Sequence, residues 1–262
     1  MITVIDGVGK KVELARPARR IVSTVPSQSE YLFDLGLENE VIGITKFCIY
    51  PKSWFESKQK IGGTKNLHLE KIAALNPDLI IANKEENTLS DIEWLAERFP
   101  IYISDINTLK EAYQSMSDIG MLTNREVEAQ NWLNRIQDEQ RVYNAVDQEF
   151  GTVAYLIWND PLMAVGSNNF IHDMLGIGGW DNCFSHLKRY PVITIDDIIA
   201  EAPHLLFLSS EPFPFKQSHV SYFKEHLPQT EVLIVDGEMF SWYGSRLLKS
   251  FKYFDKLREK AF

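Results

Sequence analysis

Residues Leu69 to Ala82 read LEKIAALNPDLIIA, a helical pattern followed by a proline and an apolar run. The first seven residues predict a short amphipathic helix, and Pro77 stops it because proline lacks a backbone donor. The apolar run that follows has the length of a buried strand. The same order of features returns in IDDIIAEAPHLLFL, from Ile195 to Leu208, where Pro203 lies 126 positions after Pro77.

A second pair of segments follows the first pair in the same order. Residues 100–105, PIYISD, lead into a predicted helix near 108–120, and residues 231–236, EVLIVD, lead into another near 244–258. The offset is now 131 positions, a small change that loop insertions explain. Internal repetition of this kind predicts two similar lobes.

Short apolar runs alternate with amphipathic segments in each half of the chain, as in a parallel sheet covered by helices. The predicted fold class is therefore α/β, with two Rossmann-like parallel-sheet lobes and a ligand cleft between them. The candidate strands are Ile21–Thr24, Val41–Ile44, Leu79–Ala82 and Ile101–Ser104 in the first lobe, and Val153–Trp158, Leu205–Ser209 and Val232–Asp236 in the second.

One long polar segment separates the two halves. Thr123-Asn124-Arg125-Glu126 has the Thr-x-x-Glu spacing of a capping box at a helix start. Neither proline nor glycine interrupts the chain from there to about Asp147, so a single backbone helix is predicted to join the lobes. The predicted domains are residues 1–122 for the first lobe, 123–148 for the helix and 149–262 for the second lobe.

Composition excludes several classes of function. The 262 residues carry a net charge of −9, which disfavours nucleic-acid binding, and no apolar run has the length of a membrane span.

The first residues read as a strand and lack the basic-then-apolar order of a signal peptide, so a cytoplasmic location stays open. Cys48 and Cys183 have no metal-ligand spacing; two buried free thiols are favoured over a disulfide.

Five segments carry a resemblance to a known family when they are taken together and in order. They are Arg20–Ser23, Pro26–Glu30, Gly62–Asn66, Leu69–Ile72 and Pro77–Ile80. They resemble the helical-backbone class of substrate-binding proteins of ABC importers, which includes receptors for cobalamin, ferric siderophores and haem. The resemblance implies capture of a metal–organic chelate and its delivery to an ABC permease, by a monomer without catalytic residues, intrinsic cofactor or protein-bound metal. It also implies a periplasmic or other extracytoplasmic location.

The resemblance implies that one acidic residue on each lobe docks onto arginines of the permease. Glu70 and Asp196 occupy these positions, and they are also equivalent in the internal repeat. A structural explanation remains open, since both open helices, where a carboxylate favours the positive end of the helix dipole.

Aromatic side chains cluster in loops that follow the predicted strands, where ligands bind in open α/β sheets. Tyr50-Pro51 and Tyr190-Pro191 match positions where cobalamin receptors carry ligand-facing aromatics, and a proline-rich loop presents Phe213. Flat, apolar rings suit a corrin or porphyrin. The predicted ligand-binding residues are Tyr50, Trp158, Tyr190, Phe213, Trp242, Tyr243 and Arg246, the last with its side chain entering the cleft.

A corrinoid is the favoured ligand, and a ferric siderophore or haem is the alternative. A cytoplasmic chelate-handling protein or enzyme on the same fold is the alternative of another class. The six histidines show no metal-binding spacing, and Ser27-Gln28-Ser29-Glu30 is interpreted as a capping box in preference to a nucleophile loop.

Overall fold

The computed structural model describes residues 1–144 and 150–261, which divide into two compact units. Unit 1 comprises Met1–Ile106, Lys110–Gln137 and Tyr243–Arg246. Unit 2 comprises the described residues of Asn107–Leu109, Asp138–Trp242 and Leu247–Phe262. The short segment 243–246 is thus far from the rest of unit 1 in sequence.

Unit 1 is built around a parallel sheet. The elements that begin in this part of the chain are β1 Ile2–Ile5, β2 Lys11–Leu14, β3 Ile21–Ser23, α1 Pro26–Asp34, β4 Val41–Ile44, α2 Lys52–Ser57, β5 Gln59–Lys60, β6 Gly62–Gly63, β7 Asn66–Leu67, α3 Leu69–Leu75, β8 Leu79–Asn83, α4 Leu89–Ala96, β9 Ile101–Ser104, α5 Leu109–Thr123 and α6 Glu126–Asn144. The strand order in the parallel sheet is β5-β4-β3-β8-β9, while β1 with β2 and β6 with β7 form small antiparallel pairs.

Unit 2 is built around a second, mostly parallel sheet. The elements of this unit are β10 Thr152–Asn159, β11 Leu162–Ala164, α7 Phe170–Ile177, β12 Asp181–Asn182, α8 Ile195–Glu201, β13 Leu205–Ser209, α9 Gln217–His226, β14 Glu231–Val235, α10 Glu238–Ser241 and α11 Leu247–Ala261. The strand order in its sheet is β11-β10-β13-β14, with β12 also paired to β10 and with β11 as an antiparallel edge strand.

The internal repeat is confirmed at the level of strand register. Ile80 of β8 pairs with Ile101 of β9, and their repeat equivalents Leu206 and Val232 pair in the same way between β13 and β14. The preceding helices α3 and α8 both have seven residues and end at a left-handed residue before the proline. The offsets of 126 and 131 positions therefore correspond to one βαβ arrangement built twice.

Each unit has its own apolar core beside its sheet. In unit 1, buried side chains of β3, β8 and β9 pack against those of α3 and α4, with Val22, Ile80 and Leu95 fully enclosed. In unit 2, β10, β13 and β14 pack against α8 and α9, with Leu206, Ile198 and Phe223 fully enclosed. The strands read as apolar runs because both faces of these sheets are covered.

The predicted capping box at Thr123 is wrong. Thr123 ends α5, where its hydroxyl donates to the carbonyl oxygen of Ile119 at 2.7 Å. Asn124 then adopts φ 55°, a left-handed conformation that breaks the helical path, and α6 begins at Glu126. The predicted continuation of this helix to residue 148 falls on residues 145–149, which lie outside the described residues.

The capping box predicted over residues 27–30 is also wrong. Helix α1 already begins at Pro26, with Val25 as its N-cap and without a side-chain cap. The Ser29 hydroxyl donates back to the carbonyl oxygen of Val25 at 3.0 Å, and Glu30 is engaged in an ion pair described below. The Glu30 carboxylate therefore pairs with a side chain that is distant in sequence and does not cap the helix.

Candidate functional site

The loop after β4 carries three exposed apolar side chains at the carboxyl edge of the unit 1 sheet. Phe47, Ile49 and Tyr50 are 50%, 45% and 42% exposed. Adjacent apolar side chains on one loop form the kind of surface patch that marks a binding site. We call Phe47–Pro51 the aromatic loop. Its position at the carboxyl ends of parallel strands is where ligands bind in open α/β sheets.

The aromatic loop is anchored from below by a buried thiol. Cys48 is completely buried; its sulfur lies 3.0 Å from the Ser29 hydroxyl oxygen and 3.1 Å from the Thr45 hydroxyl oxygen. Gly63 leaves room for the Phe47 ring, because a Cβ there would lie 3.1 Å from Phe47 Cε2. The alternation of exposed and buried residues along the loop is therefore held by packing.

Tyr50 is braced by an arginine from the distant segment 243–246. The Arg246 guanidinium carbon lies 4.7 Å from the centre of the Tyr50 ring, within cation–π distance. Arg246 Nε and Nη2 donate to the two carboxylate oxygens of Glu30 at 2.7 and 2.9 Å. The Arg246 side chain, predicted to enter the cleft, is 5% exposed and contacts Glu30 and Tyr50.

A buried polar network lies along the same edge of unit 1, and the sequence analysis missed it. Asn83 Nδ2 and Gln28 Nε2 both donate to the Ser104 hydroxyl, at 3.0 and 2.7 Å. The Thr24 hydroxyl donates to Asn87 Oδ1 at 2.8 Å. Asparagine and serine directly after apolar strand runs are the signal that was available. The network links the carboxyl ends of β3, β8 and β9 through buried hydrogen bonds.

Unit 2 presents an aromatic pair at the end of its first strand. Trp158 lies at the end of β10 and is 38% exposed. Its ring meets Phe213 at a centroid distance of 5.6 Å and an interplanar angle of 64°. Phe213 is half-buried and contacts the buried Phe215. Phe215, in the same proline-rich stretch, belongs to the core of unit 2, so only Phe213 is available on the loop surface.

The other predicted ligand residues lie in more restrained surroundings. Trp242 is 9% exposed, and its Nε1 donates to Glu211 Oε1 at 3.0 Å, in unit 2. Tyr243, in unit 1, is equally buried. Tyr190 is half-buried in unit 2, with the Arg189 guanidinium 5.8 Å from its ring centre. These three residues are less exposed than Tyr50 and Trp158.

The two predicted docking carboxylates occupy equivalent positions in the two units. Glu70 is the second residue of α3 and Asp196 the second residue of α8, and both side chains are exposed. At α8 the helix start is capped by Thr194 with Asp197, whose side chain accepts from the Thr194 amide at 2.7 Å. Capping is therefore carried by Asp197, and Asp196 is available for another role.

Both cysteines are free thiols, as favoured from the sequence, but only Cys48 is fully buried, whereas Cys183 is half-buried. Burial raises the pKa of the Cys48 thiol, and burial together with the Glu201 carboxylate raises the pKa of Cys183 to about 12. Within residues 1–144 and 150–261, no three His, Cys, Asp or Glu side chains form a group suited to holding a metal ion. None of the helices in this described part is both long and apolar enough to cross a membrane.

The chain is similar to proteins that are named for the ligand that they bind. It is 29% identical over 205 residues to the vitamin B12-binding protein of Vibrio campbellii, which covers 74% of this chain and 71% of that protein. Its structure matches the periplasmic vitamin B12 binding protein BtuF of Vibrio cholerae with a TM-score of 0.79 at 20% identity, over 94% of this chain and 98% of that one.

A haem-binding protein has the same fold. The periplasmic heme-binding protein RhuT from Roseiflexus sp. RS-1 matches with a TM-score of 0.78 at 19% identity, over 93% of this chain and 99% of that one. At such identities the likeness shows the fold alone.

A model of a protein family matches most of the chain. The sequence profile described as periplasmic binding protein matches residues 21–233, from the first strand of the unit 1 parallel sheet to the last strand of the unit 2 sheet. This range contains the aromatic loop, the Trp158–Phe213 pair and both predicted docking carboxylates. The chain therefore belongs to the periplasmic binding protein family.

Proposed function

We propose that this protein binds a corrinoid of the cobalamin type for ABC-type import. The observation that carries the proposal is the exposed aromatic loop at the carboxyl edge of unit 1, in a chain similar to a vitamin B12-binding protein. A corrin is a broad, largely apolar plate. Aromatic side chains bury about 150–250 Å² each and suit such a surface.

In the proposal, the two most exposed rings, Tyr50 and Trp158, carry the main contacts with the ligand. Phe213 extends the surface of Trp158, since the two rings touch. Tyr190, Trp242 and Tyr243 contribute smaller contact areas, because each is less exposed than Tyr50 and Trp158. The roles proposed here are binding roles, and no catalytic step is assigned to any residue.

The proposed transport role places the protein outside the cytoplasm as a monomer that delivers its ligand to a permease. Glu70 and Asp196 support this role, because they present exposed carboxylates at equivalent positions of the repeat. Exposed carboxylates are suited to bidentate pairing with arginines on a partner.

Titration calorimetry with cyanocobalamin tests the ligand, with haem and a ferric hydroxamate titrated in parallel. We expect saturable one-to-one binding of cyanocobalamin, and a loss of about tenfold or more in affinity for Tyr50→Ala. Tyr222→Ala is the matched control, since Tyr222 is a tyrosine of similar exposure, 47%, on α9. Tight binding of haem or the ferric hydroxamate without cyanocobalamin binding would reject the corrinoid assignment.

Stimulation of ATP hydrolysis by a corrinoid permease in proteoliposomes tests the docking role. We expect the double variant Glu70→Gln/Asp196→Asn to lose most of the stimulation while it still binds cyanocobalamin. Glu126→Gln serves as the control, because Glu126 is also an exposed carboxylate in the first turn of a helix. Full stimulation by the double variant would reject the docking role of these two residues.

A further inference from the structure

A buried ion pair links two residues that lie 216 positions apart in sequence. Arg246 and Glu30 meet through two nearly parallel hydrogen bonds of 2.7 and 2.9 Å, and they are 5% and 7% exposed. Both residues belong to unit 1. A buried ion pair of this kind is weak support for stability, because desolvation offsets much of the attraction between the charges. Its presence beside the aromatic loop calls for another explanation.

The pair holds the guanidinium plane in a fixed place. An arginine that donates two hydrogen bonds to one carboxylate has little freedom to rotate. The same guanidinium carbon lies 4.7 Å from the centre of the Tyr50 ring. The Tyr50 ring therefore contacts the positive charge of Arg246, and Glu30 fixes the position of that charge.

The backbone around Arg246 is also restrained. Ser245 donates a hydrogen bond to the carboxylate of Asp34, at the end of α1. Gly244 adopts φ +92°, and a Cβ at this position would lie 2.9 Å from Tyr31 Cβ. Glycine thus allows the segment 243–246 to sit directly against α1, the helix that also carries Glu30.

We propose that Arg246 is a positioning residue that, together with Glu30, orients the Tyr50 ring for the ligand. This role rests on the proposed function of Tyr50 in ligand binding. It differs from the direct ligand contact predicted for Arg246, since the side chain is only 5% exposed and contacts both Glu30 and Tyr50. The ligand meets the exposed face of the tyrosine, and the arginine acts from behind it.

A double-mutant cycle on cyanocobalamin affinity tests the coupling. We expect Arg246→Met to weaken binding by about threefold to tenfold when Tyr50 is present, as for a desolvated cation–π contact. In the Tyr50→Ala background the same substitution changes affinity by less than about twofold, because the ring that it positions is gone. Equal losses in both backgrounds would overturn the proposal, because they would indicate a direct ligand contact or general damage to the fold.

A second measurement needs no ligand. In protein labelled with ¹³C at the tyrosine ring ε-carbons, the Tyr50 signal is identified by its disappearance in Tyr50→Phe. We expect Arg246→Met and Glu30→Gln to shift or broaden this signal. Arg258→Met is the matched control, since Arg258 is a buried arginine stacked on Tyr143 in unit 2.

An unchanged Tyr50 signal in Arg246→Met would overturn the positioning role, whatever the ligand is. If Arg246→Met does not fold, Arg246→Lys replaces it. Lysine keeps the positive charge but lacks the planar guanidinium that donates two hydrogen bonds to one carboxylate. We therefore expect Arg246→Lys, like Arg246→Met, to weaken cyanocobalamin binding when Tyr50 is present and to have little effect in the Tyr50→Ala background. If the wild-type protein binds no cyanocobalamin while the Tyr50 signal moves as expected, the proposed function fails and the positioning role stands.

Discussion

Trp158 lies edge-on to Phe213, with their ring centres 5.6 Å apart, although 55 positions separate them in sequence. Edge-to-face contacts of this kind add to the burial of the rings and fix their mutual orientation. The exposed ring of the pair is therefore presented on a half-buried support.

We expect Trp158→Ala to weaken cyanocobalamin binding by about tenfold, since it removes the exposed ring. Phe213→Ala is expected to weaken binding by a smaller factor, because Trp158 loses its support but remains. Trp158→Phe, which keeps an aromatic ring, should retain most of the affinity. The measurement is titration calorimetry, and an unaltered affinity in Trp158→Ala would remove this pair from the proposed site.

The buried Asp118 is expected to make stability depend on pH. Burial, and to a smaller extent the Asp6 carboxylate, raises the pKa of Asp118, while hydrogen bonds from Gln114 and Tyr102 act in the opposite direction. The folded state thus binds this proton more tightly than the unfolded state. Stability should fall as the pH rises from the ordinary carboxyl pKa through the raised one.

Asp118→Asn should remove that part of the pH dependence, whereas Asp138→Asn, at an exposed carboxylate, should leave it in place. Urea unfolding at a series of pH values measures the difference between wild type and variant. A difference that does not vary with pH would contradict the assigned direction.

Arg258 is expected to stabilise unit 2 as a clamp on its C-terminal helix. Its guanidinium lies 3.7 and 4.4 Å from the ring centres of Tyr143 and Phe150, and Nε and Nη2 donate to the Gly178 carbonyl oxygen. Arg258→Met should cost about 2–3 kcal/mol, as for a desolvated cation–π contact with charged hydrogen bonds. The midpoint of urea unfolding measures the loss.

Arg141→Met is the control for the clamp. Arg141 is a largely exposed arginine on α6 that pairs with Asp138, and exposed ion pairs contribute little. We expect its midpoint to stay close to that of the wild type. Similar midpoints for both arginine variants would show that the clamp does not contribute to stability.

The two thiols are expected to react slowly with a thiolate-specific reagent in the native protein. At pH 8, a thiol with the pKa of about 12 of Cys183 is only about 10⁻⁴ ionised, and Cys48 is fully buried with a raised pKa. Both should react at once in denaturant. A fast native reaction that persists in Cys48→Ser would show that the pKa of Cys183 is not raised.

Local patterns sufficed to predict the helix–proline–strand units and their repetition. The runs before Pro77 and Pro203 have the spacing of short helices, and the runs after them are apolar throughout. Such signals lie within a dozen residues of each other, so backbone sterics and burial determine their outcome with little help from the rest of the chain. Tyr50 and Trp158 were singled out because one lies in the loop after a predicted strand and the other ends a predicted strand; their contact with a ligand stays a prediction.

Capping was predicted less well, because the same side chain can serve a local or a distant partner. Thr123 satisfies a carbonyl within its own helix instead of opening the next one, and Glu30 turns to Arg246. For serine, threonine and acidic side chains, a partner in the same turn and a partner elsewhere in the fold give hydrogen bonds of similar free energy. A four-residue pattern therefore does not decide which partner is used.

The buried polar network around Ser104 and the ion pair behind Tyr50 exist only in the folded chain. Gln28 reaches Ser104 across 76 positions, and Arg246 reaches Glu30 across 216. Periodicity along the chain specifies which residues form helices and strands and which faces they bury, because those are short-range properties. Which polar side chains meet at a sheet edge depends on how the sheets and helices pack, because desolvated donors and acceptors accept only partners that packing brings within about 3 Å.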